Sequence, residues 1–252
     1  MAKVAVFDSG FGSLSIIKPI QKKTKTEIIY FADQKNFPYG IKSIAELRKI
    51  IKSTIMVLEK KFKPDLTVIG SNTPSLLLEN IPNGSKIIGV FPPLKDASNR
   101  TKLNSIAILA TKSVVESSAL KNYIKKNVSK KIRVTKINAS PLVELVESGK
   151  FIHDKKFCEK RIKRVLDQLL QNNVDVATLS STHLPFLFPM LKKMFPRIVF
   201  LDPGHIVANQ VAQILNRKQN KINKLKIFTS GNVNNFQKQL RKIGIKNKVM
   251  QL

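Results

Sequence analysis

A chain of 252 residues with 42% hydrophobic content is long enough to bury a full core as one large domain or two ordinary ones. Its single cysteine, Cys158, excludes an internal disulfide and a thiolate metal cluster, and no apolar run approaches a membrane span or a signal peptide, so a cytoplasmic protein without a membrane partner is expected. The formal net charge of +29 would attract polyanions, but the charge is mostly lysine spread over every helical pattern among many Asn and Ile, which reads as compositional bias and argues against a nucleic-acid partner.

Strand-like runs alternate with helical patterns, which predicts an α/β architecture with mainly parallel sheets. The expected strands are Lys3–Phe7, Glu27–Phe31, Asp65–Gly70, Lys86–Val90, Ser105–Ala110, Lys131–Ile137, Asp175–Leu179, Arg197–Leu201 and Lys226–Thr229. Ile44–Lys61 reads as a helix because Leu47, Ile50, Ile51, Ile55 and Leu58 recur at helical spacing, and Lys156–Gln171 does so through Ile162, Val165, Leu166 and Leu169. Cys158 lies at the start of that second helix and reads as an ordinary helix residue. A break falls at Pro92-Pro93-Leu94, followed by the polar stretch Asp96–Asn104. The pattern then restarts at Ser105, giving two similar α/β units. The basic stretch from Arg217 to Lys248 alternates with apolar residues and reads as a solvated helix face plus a strand.

Each unit reaches an apolar strand closed by small hydroxyl residues. Leu66–Ile69 runs into Gly70-Ser71-Asn72-Thr73, and Val176–Leu179 runs into Ser180-Ser181-Thr182-His183-Leu184-Pro185. Ligands of open parallel sheets bind beyond the carboxyl ends of the strands. Asp8-Ser9-Gly10, Asp33 to Gly40, Ser71 to Thr73, Thr111 and Ser181 to His183 all fall there. Backbone N–H groups at such ends suit a small anion. Taken singly, each segment is also a plain cap or turn, and Glu147 is also a plain surface helix residue.

Together, Val6-Phe7-Asp8-Ser9-Gly10, Phe37-Pro38-Tyr39-Gly40, Asn72-Thr73 and Thr182-His183 resemble the glutamate racemase family of the aspartate/glutamate racemase superfamily, from Val4 to about Phe236. That family has Cys-Asn-Thr and Gly-Cys-Thr-His where this chain has Ser71-Asn72-Thr73 and Ser180-Ser181-Thr182-His183. The resemblance implies two α/β domains facing a shared central cleft, residues 1–96 plus 207–252 and residues 97–206. It implies cofactor-independent interconversion of L- and D-glutamate by two-base proton transfer at Cα, supplying D-glutamate for peptidoglycan, and a homodimer. Carried onto this chain, the proton-transfer positions are Ser71 and Ser181, assisted by Asp8, Glu147 and His183. Substrate contacts are Ser9, Pro38, Tyr39, Gly40, Asn72, Thr73 and Thr182, with no metal and an acidic amino acid as the ligand.

The departures bear on that chemistry. Ser13 and Ser180 replace glycines, Pro74 replaces a small residue, and Val114 and Leu120 replace a threonine and a tyrosine. A thiol has a pKa of about 8.5, whereas a serine hydroxyl behaves more like water, roughly seven units higher. That gap corresponds to about 10 kcal/mol if nothing compensates. His183 beside Ser181 and Asp8 near Ser71 are the groups that could compensate, as general bases acting directly or through the hydroxyl. The expectation is an impaired racemase, and the alternative is an inactive homologue that binds an acidic amino acid as a sensor or regulator.

Overall fold

The computed structural model describes residues 2–77, 87–216 and 218–252. Up to residue 90 the described elements are β1 (Lys3–Asp8), α1 (Leu14–Lys23), β2 (Glu27–Ala32), α2 (Ile44–Phe62), β3 (Leu66–Ile69), α3 (Asn72–Leu77) and β4 (Ile87–Gly89). Next come α4 (Leu94–Arg100), β5 (Ser105–Ala110), α5 (Lys112–Val115), α6 (Ser118–Asn127), β6 (Arg133–Asn138), α7 (Ser140–Glu147), α8 (Lys150–His153), α9 (Lys155–Gln171), β7 (Val176–Leu179), α10 (Phe188–Met194) and β8 (Val199–Leu201). The remainder holds α11 (Gly204–Leu215), β9 (Lys224–Thr229), α12 (Val233–Lys242) and β10 (Val249–Gln251).

The elements group into two compact units, Met1–Val90 with Gly204–Leu252, and Phe91–Pro203. The first unit carries a sheet in the order β10-β9-β2-β1-β3-β4 and the second a sheet in the order β6-β5-β7-β8. All strand pairs are parallel. The second sheet therefore repeats the β2-β1-β3-β4 order of the first, with β5 in the place of β1 and β7 in the place of β3. In each unit the order reverses around its first strand, which opens a crevice beyond the carboxyl ends of β1 and β3, or of β5 and β7.

Central strands are covered on both faces, which is why they read as unbroken apolar runs. Val4–Asp8, Glu27–Ala32 and Ser105–Ala110 are buried at every position. The edge strand β6 (Arg133–Asn138) exposes Arg133, Lys136 and Asn138, so charge blunts it against pairing with another chain. Helix starts are written in side chains: Ser43 accepts from the Glu46 N–H at 3.2 Å, and Asp154 accepts from the Phe157 N–H at 3.0 Å. In α2, Leu47, Ile51, Ile55 and Leu58 face the core with Phe7, Ile29 and Phe31 of the sheet.

Two sequence expectations change. The polar stretch after Pro93 is helical over Leu94–Arg100, because Leu94 and Ala97 supply a buried face and Ala97 packs on Ile106 and Val176. A tenth strand, Val249–Gln251, pairs with β9, although three residues after a basic run carry no periodic signal. The strand expected over Lys86–Val90 is observed over Ile87–Gly89; Lys86, like Arg217 of the basic stretch, lies outside the described residues. Among the described residues no helix is long and apolar enough to cross a membrane.

Candidate active site

In the first unit, Asp8 ends β1 and is 1% exposed. Its carboxylate accepts the Ser9 N–H at 2.7 Å. The next strand over ends in a second buried carboxylate, Asp33. It accepts from the Tyr39 hydroxyl at 3.1 Å, from the Asn36 side-chain amide at 2.8 and 3.0 Å, and from the Ser230 hydroxyl at 3.1 Å. Tyr39 also turns its backbone N–H towards Ser9 Oγ, at 3.4 Å. Burial, then the charges of Asp33 and Asp8, push the Tyr39 phenol well above its ordinary pKa, so it stays a hydrogen-bond donor. Its ring belongs to the apolar core, which leaves its backbone as the part able to meet a ligand. Pro38, joined to Phe37 by a cis peptide bond, and Gly40 are half-buried beside it.

β3 stops at Ile69, opposite Phe7, and the chain passes through Gly70 and Ser71 into α3. Asp8 directly follows Phe7 and Ser71 stands two residues past Ile69, so both candidate groups lie at the carboxyl ends of adjacent strands. Ser71 is half-buried, and Asn72 and Thr73 are buried. Asn72 donates its side-chain N–H to Val90 O at 3.0 Å, while among the described residues its buried Oδ1 has no hydrogen-bond partner. Ser75 tightens this turn by donating to Ser71 O at 2.7 Å and accepting the Val90 N–H at 2.9 Å.

The second unit holds a line of three groups. Ser181 Oγ lies 3.5 Å from His183 Nδ1, and His183 Nε2 lies 2.5 Å from Glu147 Oε1. Glu147 closes α7, and His183 precedes a 3-10 turn over Leu184–Leu187 that the Leu184 N–H→Ser181 O bond draws in at 3.0 Å. The side chains of His183 and Glu147 are only 8% and 16% exposed. The carboxylate therefore acts on the imidazole with less screening than at the surface. Thr182 is buried beside them, and Ser180 Oγ is 2.8 Å from Thr178 Oγ1. Thr111, at the end of β5, shares a hydrogen bond with Ser113 at 3.2 Å. Val114 and Leu120 are wholly buried and belong to the core.

The structure thus joins Asp8, Ser9 and Tyr39 in one cluster, and Ser181, His183 and Glu147 in another. Reasoning from sequence alone omitted Ser75 and Ser230, and it named Asp33 and Asn36 only as part of the strand-end segment Asp33 to Gly40, without individual roles. Asp33 had a signal, since Ala32-Asp33 closes its strand as Phe7-Asp8 closes the first. Ser230 had none, because it comes from the far end of the chain. Among the described residues no group of three His, Cys, Asp or Glu side chains could hold a metal ion. A shallow groove on the outer face of α2, lined by Lys49, Lys52, Met56, Val57 and Lys60, contains none of the candidate groups.

No protein-family model matches the chain. It is 30% identical over 234 residues to the glutamate racemase of Actinobacillus pleuropneumoniae, covering 87% of this chain and 86% of that one. It is 28% identical over 240 residues to that of Clostridium kluyveri, covering 91% and 92%. The fold matches the crystal structure of Escherichia coli glutamate racemase in complex with L-glutamate and the activator UDP-MurNAc-Ala. There the TM-score is 0.84 at 24% identity, over 100% of this chain and 98% of that one.

Proposed function

The chain belongs to the glutamate racemase family, and we propose that it interconverts L- and D-glutamate without a cofactor, at a rate lowered by Ser71 and Ser181. The observation that carries this reading is the hydrogen-bonded line Ser181–His183–Glu147. Two-base racemisation needs a proton acceptor on one face of Cα and a proton donor on the other. A serine hydroxyl is too weak an acid to serve as the loaded or empty base by itself, but a hydroxyl backed by a base can relay a proton.

On the Ser181 side, the Cα proton passes to Ser181 Oγ as the hydroxyl proton passes to His183 Nδ1. Glu147, accepting from Nε2–H, stabilises the imidazolium that forms. On the Ser71 side, Asp8 is the matching carboxylate. Ser9, Asn72, Thr73 and Thr182, with the backbone of Pro38, Tyr39 and Gly40, hold the carboxylates and the ammonium group of the amino acid. The Asn72 Oδ1, which has no hydrogen-bond partner among the described residues, suits an N–H donor. D-Glutamate made in this way, in the cytoplasm, would enter peptidoglycan.

The test is exchange of the glutamate Cα proton for deuterium in heavy water. The wild type is expected to exchange slowly but above a blank. The double variant Ser71→Cys/Ser181→Cys is expected to gain at least about a hundredfold, since each 1.36 kcal/mol recovered is tenfold in rate. Absence of exchange in both proteins at high loading overturns the reading. If calorimetry then still shows glutamate binding, the chain is a receptor for an acidic amino acid and not a catalyst.

A further inference from the structure

We propose that the Ser181–His183–Glu147 line is also a nucleophilic site, which hydrolyses small carboxylic esters through an acyl-Ser181 intermediate. Three features carry this beyond the racemase reading. The first is the order of groups: a hydroxyl 3.5 Å from one imidazole nitrogen and a carboxylate 2.5 Å from the other. That is the nucleophile, base and orienting acid of serine acyl transfer, which is recognised by geometry and roles and not by sequence position. The imidazole nitrogens are exchanged relative to the serine proteases, which follows from Ser181 and His183 being only two residues apart.

The second feature is the tautomer. Nε2 faces a carboxylate, which in its ionised form can only accept, so the neutral imidazole that keeps its proton on Nε2 presents its Nδ1 lone pair to Ser181 Oγ. The contact is at the long end for a hydrogen bond, as nucleophile–base pairs often are before a substrate closes them. The third is position. Leu109 and Leu179 are register partners, and Thr111 and Ser181 each stand two residues beyond them, so both hydroxyls flank the crevice where the sheet order reverses. Replacing a thiol by a hydroxyl penalises proton abstraction from carbon, but a serine assisted by a base is fully suited to attack at an acyl carbon.

The reaction balances with water as its only co-reactant. Ser181 Oγ bonds to the acyl carbon as its proton moves to His183 Nδ1. The tetrahedral adduct then collapses, the C–O bond to the alcohol breaks, and the alcohol leaves with that proton. Water gives a proton to Nδ1 and adds to the acyl carbon. The acid departs, and Ser181 Oγ regains the proton. Ser181 and His183 are the catalytic residues here, and Glu147 is a positioning residue.

The experiment uses the full chain, a small alkyl fluorophosphonate, and p-nitrophenyl acetate. Phosphonylation is expected at Ser181, mapped by peptide mass spectrometry, at least about a hundredfold faster than in the urea-unfolded chain. Acetate-ester hydrolysis should disappear in Ser181→Ala. His183→Gly should lose about a hundredfold, and added imidazole should restore labelling, a rescue that a purely structural role would not give. Glu147→Gln should slow labelling about tenfold, with Glu147→Asp recovering part of it. Labelling at lysine or tyrosine instead, equal rates in folded and unfolded chains, or indifference to His183→Gly overturns the proposal. Because neither glutamate nor a second base is involved, Cα exchange and phosphonylation can fail independently, so the two readings stand or fall separately.

Discussion

Gly70 shows how little room the first half-site leaves. A Cβ at that position would stand 2.3 Å from Ser13 Cβ and 2.8 Å from Ser13 Oγ. Gly70→Ala is therefore expected to cost about 1–3 kcal/mol by overpacking, read from urea unfolding. Ser13→Gly in the same background should return most of the loss, a coupling that a double-mutant cycle measures. Ser13 Oγ is itself buried with no hydrogen-bond partner among the described residues, and as N-cap of α1 it makes no capping bond. A buried, unmade hydrogen bond costs about 1–3 kcal/mol, so Ser13→Ala should raise the melting temperature. The sequence displayed Ser13 as a serine where the family resemblance expects glycine. It did not display that the hydroxyl is stranded, because the neighbour that crowds it is 57 residues away along the chain. Tyr39 carries a similar lesson. Its motif marked it as a ligand contact, and the structure adds that its ring lies in the core and its hydroxyl donates to Asp33, six residues before it, a side-chain contact that the residue spacing does not announce.

The elements are held at their amino ends by carboxylates that clasp the neighbouring loop. Asp175, just before β7, accepts from the Thr101 hydroxyl and the Lys102 N–H, both at 2.6 Å, and from the Leu103 N–H at 3.0 Å. Burial pushes its carboxyl pKa up, but these hydrogen bonds outweigh that and hold it below the ordinary value. Asp65, before β3, is likewise lowered: burial opposes, while Lys218 and the Lys3 N–H prevail. The hydrogen bond from Lys226 does most to lower Glu27. A depressed folded-state pKa adds stability that is fully present above the unfolded value, about 3.9 for Asp and 4.3 for Glu, and is lost as pH falls through the folded value. Unfolding free energy should thus fall below about pH 4. Asp175→Asn should start lower at neutral pH and show a shallower acid decline, measured by urea titrations across that range. Strands covered on both faces were legible because burial on two sides leaves only apolar side chains. Helix α4 was not, since its inward face rests on Leu94 and Ala97 alone, too few for a period to emerge from Asp, Ser, Asn and Arg.

At the scale of the whole molecule the dominant fact is charge: 45 lysines and arginines against 16 acids. Lys42–Glu46, Lys193–Glu159, Lys218–Asp65 and Lys226–Glu27 pair some of it, but 16 acids cannot pair 45 basic groups. Self-repulsion of this kind destabilises a compact state and is screened by salt. The melting temperature should therefore rise between about 10 mM and 200 mM sodium chloride, where the Debye length contracts several-fold, and a flat response in scanning calorimetry would refute this. The paired strand orders β2-β1-β3-β4 and β6-β5-β7-β8 explain why the two serine clusters looked alike in sequence: each follows the third strand of its unit. The return of residues 204–252 to the first unit was legible only through resemblance, because no local pattern announces a partner two hundred residues away. It also imposes an order on synthesis. While a ribosome is still adding α11 and β9, the contiguous Phe91–Pro203 unit is already complete and free to fold, whereas β2 still waits for its neighbour. A nascent chain ended at residue 203, held on the ribosome by an unstructured linker long enough to clear the exit tunnel and treated with protease, should accordingly yield a resistant middle fragment and a digested amino-terminal portion, so the part made first is finished last.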